Sequence, residues 1–289
     1  MSQSAGPTNI LELVNNTVEL PTLPETVARL GKVIDDPDSS VETVAAELSK
    51  DPAIATNLLR IANTAYYGLP VRVSSVNVAV SVLGFKMTRK LALKAAVFSV
   101  FGHRRERIQQ FDPSAFWKHA VFTAMVARAL GARSSCFEDT HPEDLYVAGL
   151  LHDIGKLVML DRAASKYLAC LRKAAQSQTP EVEVELEEFG FTHTDVGSML
   201  AIQWSLPEDL AIAIRYHHSP SRDPFHCSLS SLMHLSDHLA WRVGKPSTVG
   251  TVAGAFDSDV YEQVGLSPDE VEAVLSSIVE DESSLETPW

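Results

Sequence analysis

The chain has 289 residues, 45% hydrophobic and 21% charged, which suffices for one large or two modest cored domains of ordinary soluble composition. Its formal net charge of −13 excludes duplex nucleic acid as a main partner, because phosphate binding needs cationic surface. No apolar run approaches the roughly 20 residues that span a bilayer, and the polar N-terminus lacks a cationic segment leading into an apolar one, so neither a membrane partner nor a secretory leader is expected.

Nearly every periodic segment reads as helix, so the expected fold class is all-α. The expected divisions are an N-terminal tail over 1–18, a first helical half over 19–105, a second over 106–250, and a C-terminal helix with an acidic tail over 251–289. In chain order, Asp51-Pro52 and Asp112-Pro113 each pair an N-capping carboxylate with a proline suited to the first helical position. Val71-Arg72-Val73 reads as a short extended piece. Val76, Ala79, Val80 and Leu83 share one helix face, and Gly84 closes that helix. Leu91 to Phe98 is apolar nearly all round and is expected to be buried between elements, so that the two halves do not fold apart. Charge density rises at His103-Arg104-Arg105-Glu106-Arg107, marking the boundary. Pro220–Pro224 and Lys245–Gly250 read as turns, and Ser267-Pro268-Asp269-Glu270 opens a final helix. Cys136, Cys170 and Cys227 show no CxxC spacing, which indicates neither a disulfide framework nor a thiolate zinc site and fits a reducing, cytoplasmic setting.

The chemistry lies in histidines and aspartates placed where leucines are expected. His152 shares a helical stripe with Gly149, Ala148 and Leu145, and the two small neighbours allow another helix to approach closely. Asp153 follows directly, a carboxylate that tolerates burial only when paired or bound to a cation. Gly155 is expected to end the regular helix, with Lys156 at the turn. The pattern recurs along the chain. His119 lies among Phe116, Phe122 and Val126, His193 opens a helix bearing Val196, Gly197 and Leu200, His217 ends one bearing Leu210, Ala213 and Ile214, and Asp237 has Met233, Ala240 and Trp241 on its face. Any one of these residues can be a hydrogen-bonded core residue. His217-His218 can equally be imidazoles at the negative end of a helix dipole, and Asp237 can be a carboxylate paired with a base. Together they would each need a separate buried partner, whereas imidazole and carboxylate ligands on several helices suit a shared divalent metal.

The order His119, His152-Asp153, His193, His217-His218, Asp237 resembles the HD superfamily of metal-dependent phosphohydrolases. Within it, Leu20-Pro21-Thr22-Leu23-Pro24, Ser49-Lys50-Asp51-Pro52-Ala53, Ile61 to Gly68 and Val82-Leu83-Gly84-Phe85 resemble the HDOD family, the HD-related output domains of bacterial signalling proteins. The likeness runs from about Leu20 to about Gly244. It implies an HD-type helical bundle joined to an N-terminal helical half, and a regulatory output role exercised on an upstream or downstream signalling protein. It also implies a metal site made by His119, His152, Asp153, His193, His217, His218 and Asp237, holding one or two divalent transition ions, iron first and manganese, nickel or zinc as alternatives. HDOD proteins are generally regarded as non-catalytic. The HD-GYP branch, which cleaves cyclic di-GMP, carries Gly-Tyr-Pro after its paired histidines, whereas Ser219-Pro220-Ser221 follows them here. The alternative implied by the superfamily is a phosphohydrolase acting on a nucleotide or cyclic dinucleotide. In that case Asp153 and Lys156 would be catalytic, and Lys156 would stabilise charge developing on phosphoryl oxygens.

Overall fold

The computed structural model describes residues 25–63, 73–101, 111–204, 206–224, 228–248 and 250–280. Leu20–Pro24, Thr64–Gly68, Val71-Arg72, His103–Arg107 and Cys227, all singled out in the sequence, lie outside the described residues. The described residues form helices and loops with no strand, as the periodicity predicts. They fall into two compact units, one within Pro21–Arg104 and the other within Arg105–Thr287.

The first unit contains α1 (Glu25–Ile34), α2 (Val41–Leu48), α3 (Pro52–Ala62) and α4 (Val76–Phe101). Asp51 caps α3 by accepting from the Ile54 N–H at 3.1 Å, and Pro52 takes the first helical position. Gly84 interrupts α4 at φ +75, so the helix signalled by Val76–Leu83 does close there, and the chain resumes helix beyond it. Leu30, Val44, Leu48, Ile54, Leu58, Ala79, Val80, Leu91 and Ala95 bury their side chains. Asn63, from the Ile61–Gly68 motif, brackets Val73 with its side-chain amide, donating to the Val73 carbonyl and accepting from its N–H, both at 2.8 Å.

The second unit carries α5 (Pro113–Gly131), α6 (Pro142–Leu151), α7 (Ile154–Arg162), α8 (Ala164–Ser177), α9 (Glu181–Phe189), α10 (His193–Gln203), α11 (Glu208–Tyr216), α12 (Ser228–Arg242), α13 (Val260–Gln263) and α14 (Pro268–Glu280). Asp112 caps α5 through the N–H groups of Ser114 and Ala115. At α14, Glu270 and Ser267 exchange capping hydrogen bonds. Two small residues set the helix crossings. A Cβ on Gly149 would lie 2.5 Å from the Cα of Ala124, so α6 packs backbone to backbone on α5, the close approach expected from the sequence. Gly155 corrects another expectation. Instead of ending a helix it lies in the first turn of α7, where a Cβ would sit 1.9 Å from the carbonyl oxygen of His193. The helix breaks earlier, at His152-Asp153, because the chain must turn there to bring α7 against α10.

Candidate metal centre

The break between α6 and α7 places His152 and Asp153 at the centre of the second unit. Asp153 adopts φ −100, ψ 9, outside the helical range, and its carboxylate turns inward. His119 arrives from the middle of α5, His193 from the first turn of α10 behind the Thr192 capping box, His217 and His218 from the end of α11, and Asp237 from α12. His119, His152, His193 and His217 are fully buried, Asp153 is 1% exposed and Asp237 6%.

Six of the seven residues form two groups that share Asp153. His119, His152 and Asp153 make one, and Asp153, His193, His217 and His218 make the other, with potential ligand atoms within 4.8 Å of one another in each. His193 Nε2 lies 3.1 Å and His217 Nε2 3.7 Å from Asp153 Oδ1, while His152 Nε2 lies 3.5 Å and His119 Nε2 3.8 Å from Asp153 Oδ2. Asp237 spans the same divide, with Oδ1 3.1 Å from His119 Nε2 and Oδ2 3.8 Å from His218 Nδ1.

Hydrogen bonds on the outer side of the rings fix the tautomers. Nδ1 of His119, His152 and His217 meets the carbonyl oxygen of Lys245, Gly149 and Ile214 at 2.7, 2.7 and 2.8 Å. A carbonyl only accepts, so each Nδ1 carries a proton, and in the neutral ring each Nε2 keeps a lone pair. His193 follows the same rule with a carboxylate partner, Glu185 Oε2 at 2.8 Å. Four Nε2 atoms therefore face two carboxylates across a buried space. His193 Nε2, His217 Nε2, Asp153 Oδ1 and Asp237 Oδ1 have no well-directed hydrogen-bond partner. His119 Nε2 and His152 Nε2 approach to 3.1 Å, an unfavourable meeting of lone pairs without a cation or proton between them. Buried acceptors aimed at one point, with their donor atoms turned outward, fit a divalent metal.

Charge balance supports the same arrangement. Burial pushes the His152 imidazole down to about 4, and His218 is likewise held well below its usual value by burial and the neighbouring His217. Burial also works against charge on His193, but the Glu185 carboxylate outweighs it and raises that imidazole to about 9, so a metal bound at its Nε2 would displace a proton. Asp153 is kept well below the usual carboxylate range: burial opposes ionisation, and Lys156 and the surrounding imidazoles overcome it. Lys156 does not occupy the position expected of a phosphoryl-facing cation. Lys156 is 3% exposed, and its ammonium lies 2.9 Å from both Asp153 Oδ2 and Glu181 Oε2 and donates to Ser247 Oγ at 2.8 Å, so it is turned into the protein.

Several residues that support the ligands escaped the sequence reading. Glu181 and Glu185 lie four apart on the α9 stripe that also buries Val184 and Phe189, so carboxylates on an apolar face were the available signal. His234, three residues before Asp237, is buried and donates from Nδ1 to the His217 carbonyl at 2.7 Å. Ser247 and Thr251 sit in a loop and carry no periodic signal at all.

The fold and the site together define an all-helical protein with a buried histidine–aspartate cluster suited to a divalent metal. More particularly, the chain belongs to the HDOD family, whose domain model matches residues 20–220. A protein of Treponema pallidum (strain Nichols), described as uncharacterized, is 26% identical over 206 residues, covering 71% of this chain. The chain spans 39% of that relative's length. An HDOD domain protein of unknown function from Geobacter sulfurreducens matches with a TM-score of 0.76 at 23% identity over 97% of each chain, a likeness of fold. A candidate signal transduction protein from Marinobacter aquaeolei VT8 matches with a TM-score of 0.74 at 26% identity, over 94% of this chain and 59% of that one. Among the described residues, no helix is long and apolar enough to cross a membrane. Cys136 and Cys170 are both free thiols.

Proposed function

We propose that this chain is an output module of bacterial signal transduction that acts through a protein partner and holds one or two divalent transition ions, iron first, at its centre. The ligands in this reading are His119, His152, Asp153, His193, His217, His218 and Asp237. The observation that carries the metal assignment is the shared ring orientation: four Nδ1–H groups bonded outward turn four Nε2 atoms toward two buried carboxylates. A hydrogen-bonded polar core would pair its buried atoms, whereas His193 Nε2, His217 Nε2, Asp153 Oδ1 and Asp237 Oδ1 lack well-directed partners here. Mixed imidazole and carboxylate donors suit iron or manganese. The signalling role rests on the family and on the likeness to the Marinobacter protein. Elemental analysis of untagged protein, prepared without chelator, tests the metal. Near-stoichiometric iron in wild type and its loss in Asp153→Ala are expected, and under about a tenth of an equivalent of any transition metal in wild type would count against the site.

One observation favours a second reading, a metal-dependent phosphohydrolase acting on a nucleotide or cyclic dinucleotide. Asp153 offers one oxygen to each half of the ligand set, as a carboxylate shared by two ions does. When bound, such ions supply Lewis acidity toward a phosphate and lower the pKa of a coordinated water. Asp153 would then anchor both halves, while Lys156 holds Asp153 ionised and oriented. Asp237 would orient His119 and His218 from the opposite wall.

A further inference from the structure

After α12 the chain runs without regular helix through residues 245–248 and 250–257, and this strap meets the outer side of the ligand set at successive points. The Lys245 carbonyl accepts from His119 Nδ1–H at 2.7 Å. Ser247 Oγ accepts from Lys156, the partner of Asp153, at 2.8 Å. The Thr251 hydroxyl donates to Glu181 Oε1 at 2.9 Å. At the far end, the Asp257 N–H donates to His234 Nε2 at 3.1 Å, and His234 passes the contact on through its Nδ1–H to the carbonyl of His217 at 2.7 Å. His234 thus uses both ring nitrogens, one toward the strap and one toward the paired histidines. Phe256 covers this link from outside, stacked on His234 and His238 with ring centroids 5.5 and 4.1 Å apart and planes 12° and 27° from parallel. Between these anchors Ala253, Gly254 and Ala255 are exposed.

We propose that His234 is a positioning residue that couples the metal centre to the strap of residues 245–248 and 250–257, so that the strap is ordered when the ligands hold metal and loosens when they do not. The proposal rests on the metal reading above. The strap holds the His119 ring with Nε2 turned inward through the Lys245 carbonyl, and through His234 it holds the backbone carbonyl of His217, while a cation satisfies the inward lone pairs. Without one, the meeting of His119 Nε2 and His152 Nε2 at 3.1 Å favours ring rotation, which breaks the contact to Lys245. Coupling of this kind is reciprocal: whatever the strap contributes to metal affinity, metal contributes to the order of the strap. Loosening would expose the α12 face under Phe256, giving the module two surfaces that differ with metal state.

Hydrogen exchange on the full chain, with and without ferrous ion, tests this directly. In wild type, amides of 250–257 should exchange at least about tenfold more slowly with iron bound than after chelation, because an opening equilibrium shifts by the ligand's preference for the closed state. His234→Phe keeps a stacking ring and removes both hydrogen bonds. It should exchange rapidly in both states and bind iron about 10- to 100-fold more weakly, the usual cost of losing an outer partner of a ligand. Iron-loaded wild type with unchanged strap exchange, or His234→Phe with wild-type iron affinity, would overturn the proposal while leaving the metal site standing. Wild type that takes up no transition metal overturns both, and elemental analysis identifies that case. If His234→Phe does not fold, Phe256→Ala carries the test from the partly exposed side. Faster strap exchange and faster iron release to chelator support the coupling, and unchanged iron release overturns it.

Discussion

Glu185 Oε2 accepts two hydrogen bonds from a single residue, the backbone N–H and the Nδ1–H of His193, each at 2.8 Å. The side chain of α9 thereby fixes both the start of α10 and the orientation of the ring on its first residue. A fully buried carboxylate in this position raises the basicity of the imidazole it holds and sets which nitrogen faces inward.

Replacing Glu185 should therefore weaken metal binding without touching a ligand. Glu185→Gln keeps an oxygen able to accept from His193 and removes only the charge, so a loss of about tenfold in iron affinity is expected. Glu185→Ala removes the orientation too and should approach about 100-fold. Competition against a chromophoric chelator measures both. Equal affinities for wild type and Glu185→Ala would mean that His193 is not a ligand.

Lys156 is tested through stability. Lys156→Met leaves Asp153 and Glu181 buried without their shared counter-charge, and breaking a buried pair in this way costs about 3–5 kcal/mol. The urea midpoint of metal-free protein should fall accordingly, and Lys156→Met/Glu181→Gln should recover part of the loss by removing the stranded charge. A midpoint for Lys156→Met equal to wild type would show that this ammonium does not balance the cluster.

Much of the site was legible in the sequence because its logic is local to each helix. A histidine at the spacing of Phe116, Phe122 and Val126, or an aspartate between Met233 and Ala240, faces the core wherever that helix packs. The Asp51-Pro52 and Asp112-Pro113 caps were readable for the same reason: capping uses groups within a few residues. What the sequence hid depends on contacts between distant segments. Gly155 looks like a helix terminator, yet its role comes from the carbonyl of His193 lying 1.9 Å from any Cβ it might carry. Lys156 looks like a free cation at a turn, yet Glu181 and Ser247 reach it from far along the chain, Ser247 from 91 residues away. Neither partner carries a signal that points to the other.

The Gly155 crossing yields a stability prediction with an internal control. In Gly155→Ala the new methyl meets backbone atoms of His193 and Gly197, which cannot step aside as a side chain could, so α7 and α10 must separate. Overpacking costs about 1–3 kcal/mol, and here it also pulls His193 away from Asp153. Gly84→Ala, in the other unit, meets nothing within 4 Å and is strained only by its backbone, φ +75 and ψ 167, for a cost of about 1–3 kcal/mol. Both variants should melt earlier than wild type, but only Gly155→Ala should lose iron affinity. Loss of iron in both would trace the effect to general instability rather than to the crossing.

Turnover decides between the two functional readings. Purified protein loaded with iron or manganese should show little hydrolysis of cyclic di-GMP, since Ser219-Pro220-Ser221 stands where the cyclic di-GMP phosphodiesterase branch has Gly-Tyr-Pro. Burial of the ligand set argues the same way. Of the seven residues only the His218 side chain is substantially exposed, at 21%, so a dinucleotide phosphate would have to reach the centre past it and Asp237. The presence of Asp153 between both halves of the set argues for the opposite result. The comparison is wild type against Asp153→Ala, on cyclic di-GMP and on a generic phosphodiester, with metal content measured in the same samples. Equal near-background rates, alongside metal present in wild type and lost in the variant, are the expected result and leave the metal with a structural or regulatory role. Metal-dependent turnover in wild type that vanishes in Asp153→Ala would instead make this chain a phosphohydrolase, with Asp153 as the anchor of its catalytic metal.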